Sequence, residues 1–102
     1  MSIKKQFLKS KPVCKVTLSV PKSISNGAKK IQVVGEFNDW NTKATPMEQL
    51  KNGIFKATLA LETGKKYQFK YLIDGEIWEN DDYADDYIRN EFDTMNSIVN
   101  LT

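Results

Sequence analysis

The chain has 102 residues, 40% of them hydrophobic, and a formal net charge of +2, which suits one compact domain with a single core and leaves no room for a second. It has no histidine and one cysteine, Cys14, so Ser-His-Asp and Cys-His catalysis, His-ligated zinc and an internal disulfide are all excluded. No apolar run approaches the roughly 20 residues of a membrane span, no apolar stretch follows the first lysines as in a secretory leader, and a lone thiol fits a reducing compartment, so a cytoplasmic location is expected.

Residues 1–11, with Lys4, Lys5, Lys9 and Lys11, are expected to form a flexible arm ahead of a single domain over 12–102. Cys14, Val16, Leu18 and Val20 alternate with Lys15, Thr17 and Ser19, the period of two of a half-buried strand, and Pro21 ends it. Ser25-Asn26-Gly27 marks a turn, and Ile31-Gln32-Val33-Val34 starts a second strand. In the loop that follows, Gly35-Glu36-Phe37-Asn38-Asp39-Trp40-Asn41, Phe37 is placed to anchor inward while the polar residues carry Trp40 outward. Thr45-Pro46-Met47 reads as a short edge segment. Asn52-Gly53 is a strong hairpin turn, followed by Phe55, Ala57, Leu59 and Leu61 in alternation. After a turn at Thr63-Gly64, Tyr67, Phe69, Tyr71 and Ile73 alternate with Gln68, Lys70 and Leu72. Asp74-Gly75 turns the chain into a return strand at Ile77-Trp78, with Ile77 the easier core residue of the two. Residues 80–93 read as an acidic loop and 96–101 as a last strand. About seven short strands separated by turns, with no amphipathic helix, predict an all-β sandwich of immunoglobulin-like type. Its predicted core includes Val16, Leu18, Val33, Phe55, Leu59, Phe69, Tyr71 and Ile98.

The charges are unevenly spread. Residues 1–30 carry only Lys among the charged types, whereas the charged residues of 74–93 are Asp and Glu, relieved by Arg89. Two solvated faces that attract each other are favoured over a basic arm for nucleic acid, because Arg is scarce and no aromatics alternate with the early lysines. Asp81, Asp82, Asp85 and Asp86 suggest paired carboxylates for glycoside hydrolysis or a calcium site. The EF-hand spacing and its glycine are absent, and a small sandwich offers an open surface rather than an enclosing cleft. A solvated acidic loop, pinned by Tyr83 and Tyr87, is the favoured reading. No catalytic set, metal site or cofactor is therefore assigned, and the chain is not expected to be an enzyme. Trp40 and Trp78, on separate loops, are the residues that suggest a ligand: an exposed indole offers a flat apolar platform for the C–H face of a sugar. Lys70, opposite Phe69 and Tyr71 in the alternation, and Asn96, both donor and acceptor, can meet hydroxyl groups.

Taken in order, Gly35-Glu36-Phe37-Asn38-Asp39-Trp40, Gly53-Ile54-Phe55, Tyr67-Gln68-Phe69-Lys70-Tyr71, Ile73-Asp74-Gly75, Trp78 and Asn96-Ser97-Ile98-Val99 make the chain, from about Val13 to Leu101, resemble the glycogen-binding carbohydrate modules of the isoamylase N-terminal-like, early-set family. Such modules occur in the AMP-activated protein kinase β subunit and in glycogen branching and debranching enzymes. The resemblance implies non-catalytic binding of an α-1,4-glucan such as glycogen, starch or a maltooligosaccharide. Its implied contacts are stacking on Trp40 and Trp78, hydrogen bonds from Lys70, and a closing loop with Phe92, Thr94 and Asn96. Asp93 stands where the loop pattern carries Gly, and Trp78 follows Gly75 by one residue more than in the kinase module. The competing reading is a docking domain for a separately encoded glycan-active enzyme; neither nucleic acid nor membrane is expected as a partner.

Overall fold

The computed structural model describes residues 2–102; Met1, the first residue of the expected arm, lies outside them. Among the described residues, nine strands form two antiparallel sheets. One sheet has the order β1 (Ser2–Phe7), β2 (Val13–Val20), β5 (Phe55–Glu62), β4 (Glu48–Gln49). The other has the order β3 (Ile31–Gly35), β6 (Lys66–Ile73), β9 (Met95–Asn100), β8 (Asp86–Arg89), with β7 (Ile77–Glu79) also paired to β6. Helix is confined to one turn, α1 (Lys22–Ser25), and a 3₁₀ turn at Glu36–Asn38. None is long and apolar enough to cross a membrane.

The alternation places the core as expected. Val16, Leu18, Val33, Phe55, Phe69 and Tyr71 all lie in the central cluster, and Leu59 packs against it half-buried. Ile98 is buried but outside that cluster. Its neighbour Val99 takes the inward position, since successive strand residues face opposite ways. Thr45–Met47 does run along an edge: the Val33 N–H donates to the Thr45 carbonyl at 2.9 Å and the Met47 N–H to the Ile31 carbonyl at 2.8 Å. The chain then crosses to the other sheet, where β4 pairs with β5.

Three expectations need correction. Most of the expected arm is strand β1, paired with β2 from Ser2↔Ser19 to Phe7↔Cys14. Its half-buried positions are Ile3 and Lys5, while Phe7 is exposed, so no apolar period announces it, and lysines are a common guard for an edge strand. Lys5 Nζ donates to Asp85 Oδ2 at 2.6 Å and to the Asn100 carbonyl at 3.1 Å, so one basic–acidic attraction is a defined contact between the sheets. The acidic stretch is not simply a solvated loop: it contains β8, and Asp81 is fully buried. Tyr71 donates its phenol proton to Asp81 Oδ2 at 2.7 Å, and Asp81 Oδ1 accepts the Tyr83 N–H at 2.8 Å. The Asp81 N–H donates to Ser97 Oγ at 2.9 Å, and Tyr87 donates its hydroxyl to the Asp81 carbonyl at 2.5 Å. Tyr87 therefore pins this segment, whereas the Tyr83 ring is exposed and only its backbone takes part. Third, Ile77 is exposed along with Trp78, because β7 is three residues long and, among the described residues, pairs only with β6.

The Tyr71–Asp81 contact has a pH signature. Burial pushes the Tyr71 phenol far above its ordinary value, and the neighbouring Asp81 carboxyl adds to the shift by its charge and hydrogen bond. The folded chain keeps this phenol neutral, while the unfolded chain ionises it near pH ~10. Its contribution is complete below that pH and is lost as pH rises further, at about 1.4 kcal/mol per pH unit. Urea unfolding between pH 8 and 11 should show this decline in the native chain and less of it in Tyr71→Phe. Asp81→Ala, which strands the Tyr71 hydroxyl and the Tyr83 N–H, should cost about 2–4 kcal/mol at pH 7.

Candidate functional site

The β6 alternation that buries Phe69, Tyr71 and Ile73 turns Gln68, Lys70 and Leu72 to the outer face of their sheet. Register adds neighbours on that face: Val34 beside Lys70, Trp78 beside Leu72, and Asn96 of β9 beside Ile88 of β8. The loop after β3 rises on one side and the β8–β9 loop on the other, and together they frame a groove of about 930 Å³. Trp40, Lys70, Trp78, Phe92, Thr94 and Asn96, all singled out from the sequence, line this one groove. Trp40 is 39% exposed, Trp78 46% and Phe92 78%, whereas Asn96, on the floor, is only 6% exposed.

Each residue of the Trp40 loop has a separable task. Gly35 is required by close approach: a Cβ there would stand 2.5 Å from the Gln68 carbonyl oxygen and 2.8 Å from Phe69 Cβ. Glu36 Oε1 accepts the Gln68 N–H at 2.7 Å, just past the last β3–β6 pair. Phe37 anchors inward as expected, its ring centroid 6.3 Å from that of Tyr67 and 6.5 Å from that of Phe69. Asn38 works inward as well: its Oδ1 accepts the Gly35 N–H at 3.1 Å, and its Nδ2 donates to the Val33 carbonyl and to Thr45 Oγ1, both at 2.9 Å. Asp39 and Trp40 then take left-handed backbone conformations, with φ of 56° and 58°. For a residue as bulky as Trp this is an outlier, at a cost of about 1–2 kcal/mol. The Trp40 N–H bond to the Gly35 carbonyl, 2.8 Å, helps to hold it there. Backbone strain of this kind gathers where a side chain must be aimed.

The opposite wall is organised by Asn90. Its Oδ1 accepts the N–H groups of Phe92 and Thr94 at 2.9 and 3.1 Å. Its Nδ2 donates to Thr94 Oγ1 at 2.8 Å and to Asn96 Oδ1 at 2.9 Å. Lys70 Nζ donates to Thr94 Oγ1 at 3.3 Å, and Asn96 Nδ2 to Gln68 Oε1 at 3.1 Å. Asp93, where the resemblance led one to look for Gly, keeps the left-handed turn at φ 64° and pairs with Arg89 at 3.1 Å on the exposed side. Asn90 and Gln68 also line the groove and were not singled out from the sequence. Gln68 was within reach, since it shares the parity of Lys70. Asn90 carries the weaker signal of an Asn that begins a turn.

The model of the family described as the glycogen recognition site of AMP-activated protein kinase matches residues 19–102. The chain belongs to this family. Over 77 residues, 76% of its length, it is 31% identical to 5'-AMP-activated protein kinase subunit beta-2 of Mus musculus and of Homo sapiens, covering 27% and 26% of those proteins. Over 52 residues, 49% of the chain, it is 36% identical to 1,4-alpha-glucan branching enzyme GlgB 2 of Xanthomonas campestris pv. campestris (strain 8004), covering 7% of it. The chain thus spans about a quarter of the length of the kinase subunits it matches. In this glycogen-recognition module the groove residues sit within the matched span.

The Asn38 contacts predict how firmly Trp40 is held. Asn38→Ala leaves the Gly35 N–H and the Val33 carbonyl without these partners and should cost about 1–3 kcal/mol of stability. Denaturant unfolding measures the loss, and a displaced Trp40 indole N–H resonance in the folded variant would report the loosened loop.

Proposed function

We propose that this module binds an α-1,4-glucan by stacking sugar rings on Trp40 and Trp78, with Lys70 and Thr94 donating to hydroxyl oxygens and Phe92 closing the groove. The observation that carries this reading is Trp40: a large indole held in a strained backbone, still exposed, in the same groove as a second exposed indole. Family membership supports the choice of an α-linked glucan over other neutral sugars. No bond-breaking step is assigned to the groove; the role is to hold the polysaccharide, and with it any attached or associated glycan-active enzyme, in the cytoplasm.

The energetics point to weak binding. If each Trp and its sugar withdraw about 100 Å² of apolar surface, stacking contributes about 2–3 kcal/mol per platform. A few hydrogen bonds add about 0.5–1.5 kcal/mol each, and ordering the ligand removes several kcal/mol. The balance corresponds to a Kd between about a millimolar and tens of micromolar. Calorimetric or NMR titration with maltoheptaose and with glycogen tests this; no heat and no shift with either would defeat the reading. Trp40→Ala should nearly abolish binding while the fold persists, and Trp78→Ala should weaken it strongly. Lys70→Ala should cost about 0.5–1.5 kcal/mol. A neutral sugar releases no counterions, so affinity should hardly change between low and high salt, unlike binding to nucleic acid.

A further inference from the structure

The groove floor has a hydrogen-bond direction, set by two backbone groups. The N–H groups of Phe92 and Thr94 can only donate, so the Asn90 atom that meets them must be its oxygen. That leaves the Asn90 NH₂ facing Thr94 and Asn96, where both of its protons are used. Asn96 must present its own oxygen to Asn90, so its NH₂ faces Gln68, whose oxygen accepts it. Three carboxamides are thus aligned from Asn90 through Asn96 to Gln68. At the far end the Gln68 NH₂, with two donor protons, has no hydrogen-bond partner among the described residues, and Gln68 lines the groove. Thr94 obeys the same logic: its oxygen accepts from both Lys70 and Asn90, so its own proton is left to point elsewhere.

We infer that Asn90 is a positioning residue that orders the floor into a surface of donors, and that Gln68 is a ligand-contacting residue presenting its NH₂ to a ligand oxygen. Gln68, Thr94 and Lys70 then all offer protons, and the ligand chemistry selected is a run of acceptor oxygens: ring, glycosidic or hydroxyl oxygens of a neutral saccharide. Asn96, nearly buried with its amide tied at both ends, transmits this order instead of supplying the main contact.

The inference rests on the glucan reading above, and the experiment separates the two. Gln68→Glu keeps an oxygen for Asn96 but replaces the groove-facing donor by an acceptor. Asn90→Asp keeps the oxygen that holds the loop N–H groups but reverses the chain behind it. Both should fold, with Tm within about 4 °C of the native chain, and both should bind maltoheptaose roughly tenfold more weakly or worse. In the native protein, maltoheptaose should move the Gln68 side-chain NH₂ resonances strongly and those of Asn90 little. If the native chain binds maltoheptaose and both variants bind within twofold of it, the donor floor is wrong while glucan binding stands. If the Asn90 amide moves and the Gln68 amide does not, the assignment of contact and support is wrong. If the native chain binds neither maltoheptaose nor glycogen, the glucan reading fails and this inference falls with it. Should Asn90→Asp fail to fold, Gln68→Glu alone decides.

Discussion

Strand β6 is the constraint on which the rest depends. It pairs with β3, β9 and β7, and its strict alternation divides the molecule. Phe69 and Tyr71 on one face are completely buried, while Gln68 and Lys70 on the other help to floor the groove. A slip of one residue would exchange the two sets, so the core and the binding face specify each other. Gly35 and Glu36 secure this register from the β3 side, one by letting the backbones approach and the other by accepting the Gln68 N–H. The floor of the site is therefore built on sheet, which aims side chains more rigidly than loops do.

The two walls of the groove use one device. On each side an asparagine is turned into the protein to satisfy backbone groups, and a neighbouring residue is thereby presented outward: Asn38 with Trp40, Asn90 with Thr94 and Phe92. Asp81 does comparable work beneath the sheet, where, from the β7–β8 connection, its side chain and backbone tie together β6, β9 and β8 through Tyr71, Ser97 and Tyr87. None of these residues is used as its solubility would suggest. Short polar side chains that meet backbone groups serve here as cross-braces, which the low dielectric of a buried setting strengthens.

How much was legible in the sequence follows from this. Period-two alternation placed β2, β5 and β6, and turn chemistry placed Asn52-Gly53 and Asp74-Gly75, where positive φ occurs at Gly53, Asp74 and Gly75. The groove residues were found because resemblance pointed to positions that one parity and two loops bring together. β1 and β8 escaped, since edge strands with charged residues on both faces have no apolar period to read. The burial of Asp81 escaped because two of its partners, Tyr71 and Ser97, lie ten and sixteen positions away, and composition alone treats an aspartate among aspartates as solvated. Asn90 escaped for a related reason: the value of a hub lies in the simultaneous geometry of several neighbours, which no linear spacing reveals.

The left-handed backbone at Trp40 has an evolutionary consequence. The residue that relieves such a conformation most directly is glycine, and glycine is also the residue that removes the indole altogether. Drift toward a more comfortable chain and decay of the ligand surface are therefore the same step at this position. Most proteins sit only just above the stability they need, so a lineage freed from selection on its ligand has every reason to take that step.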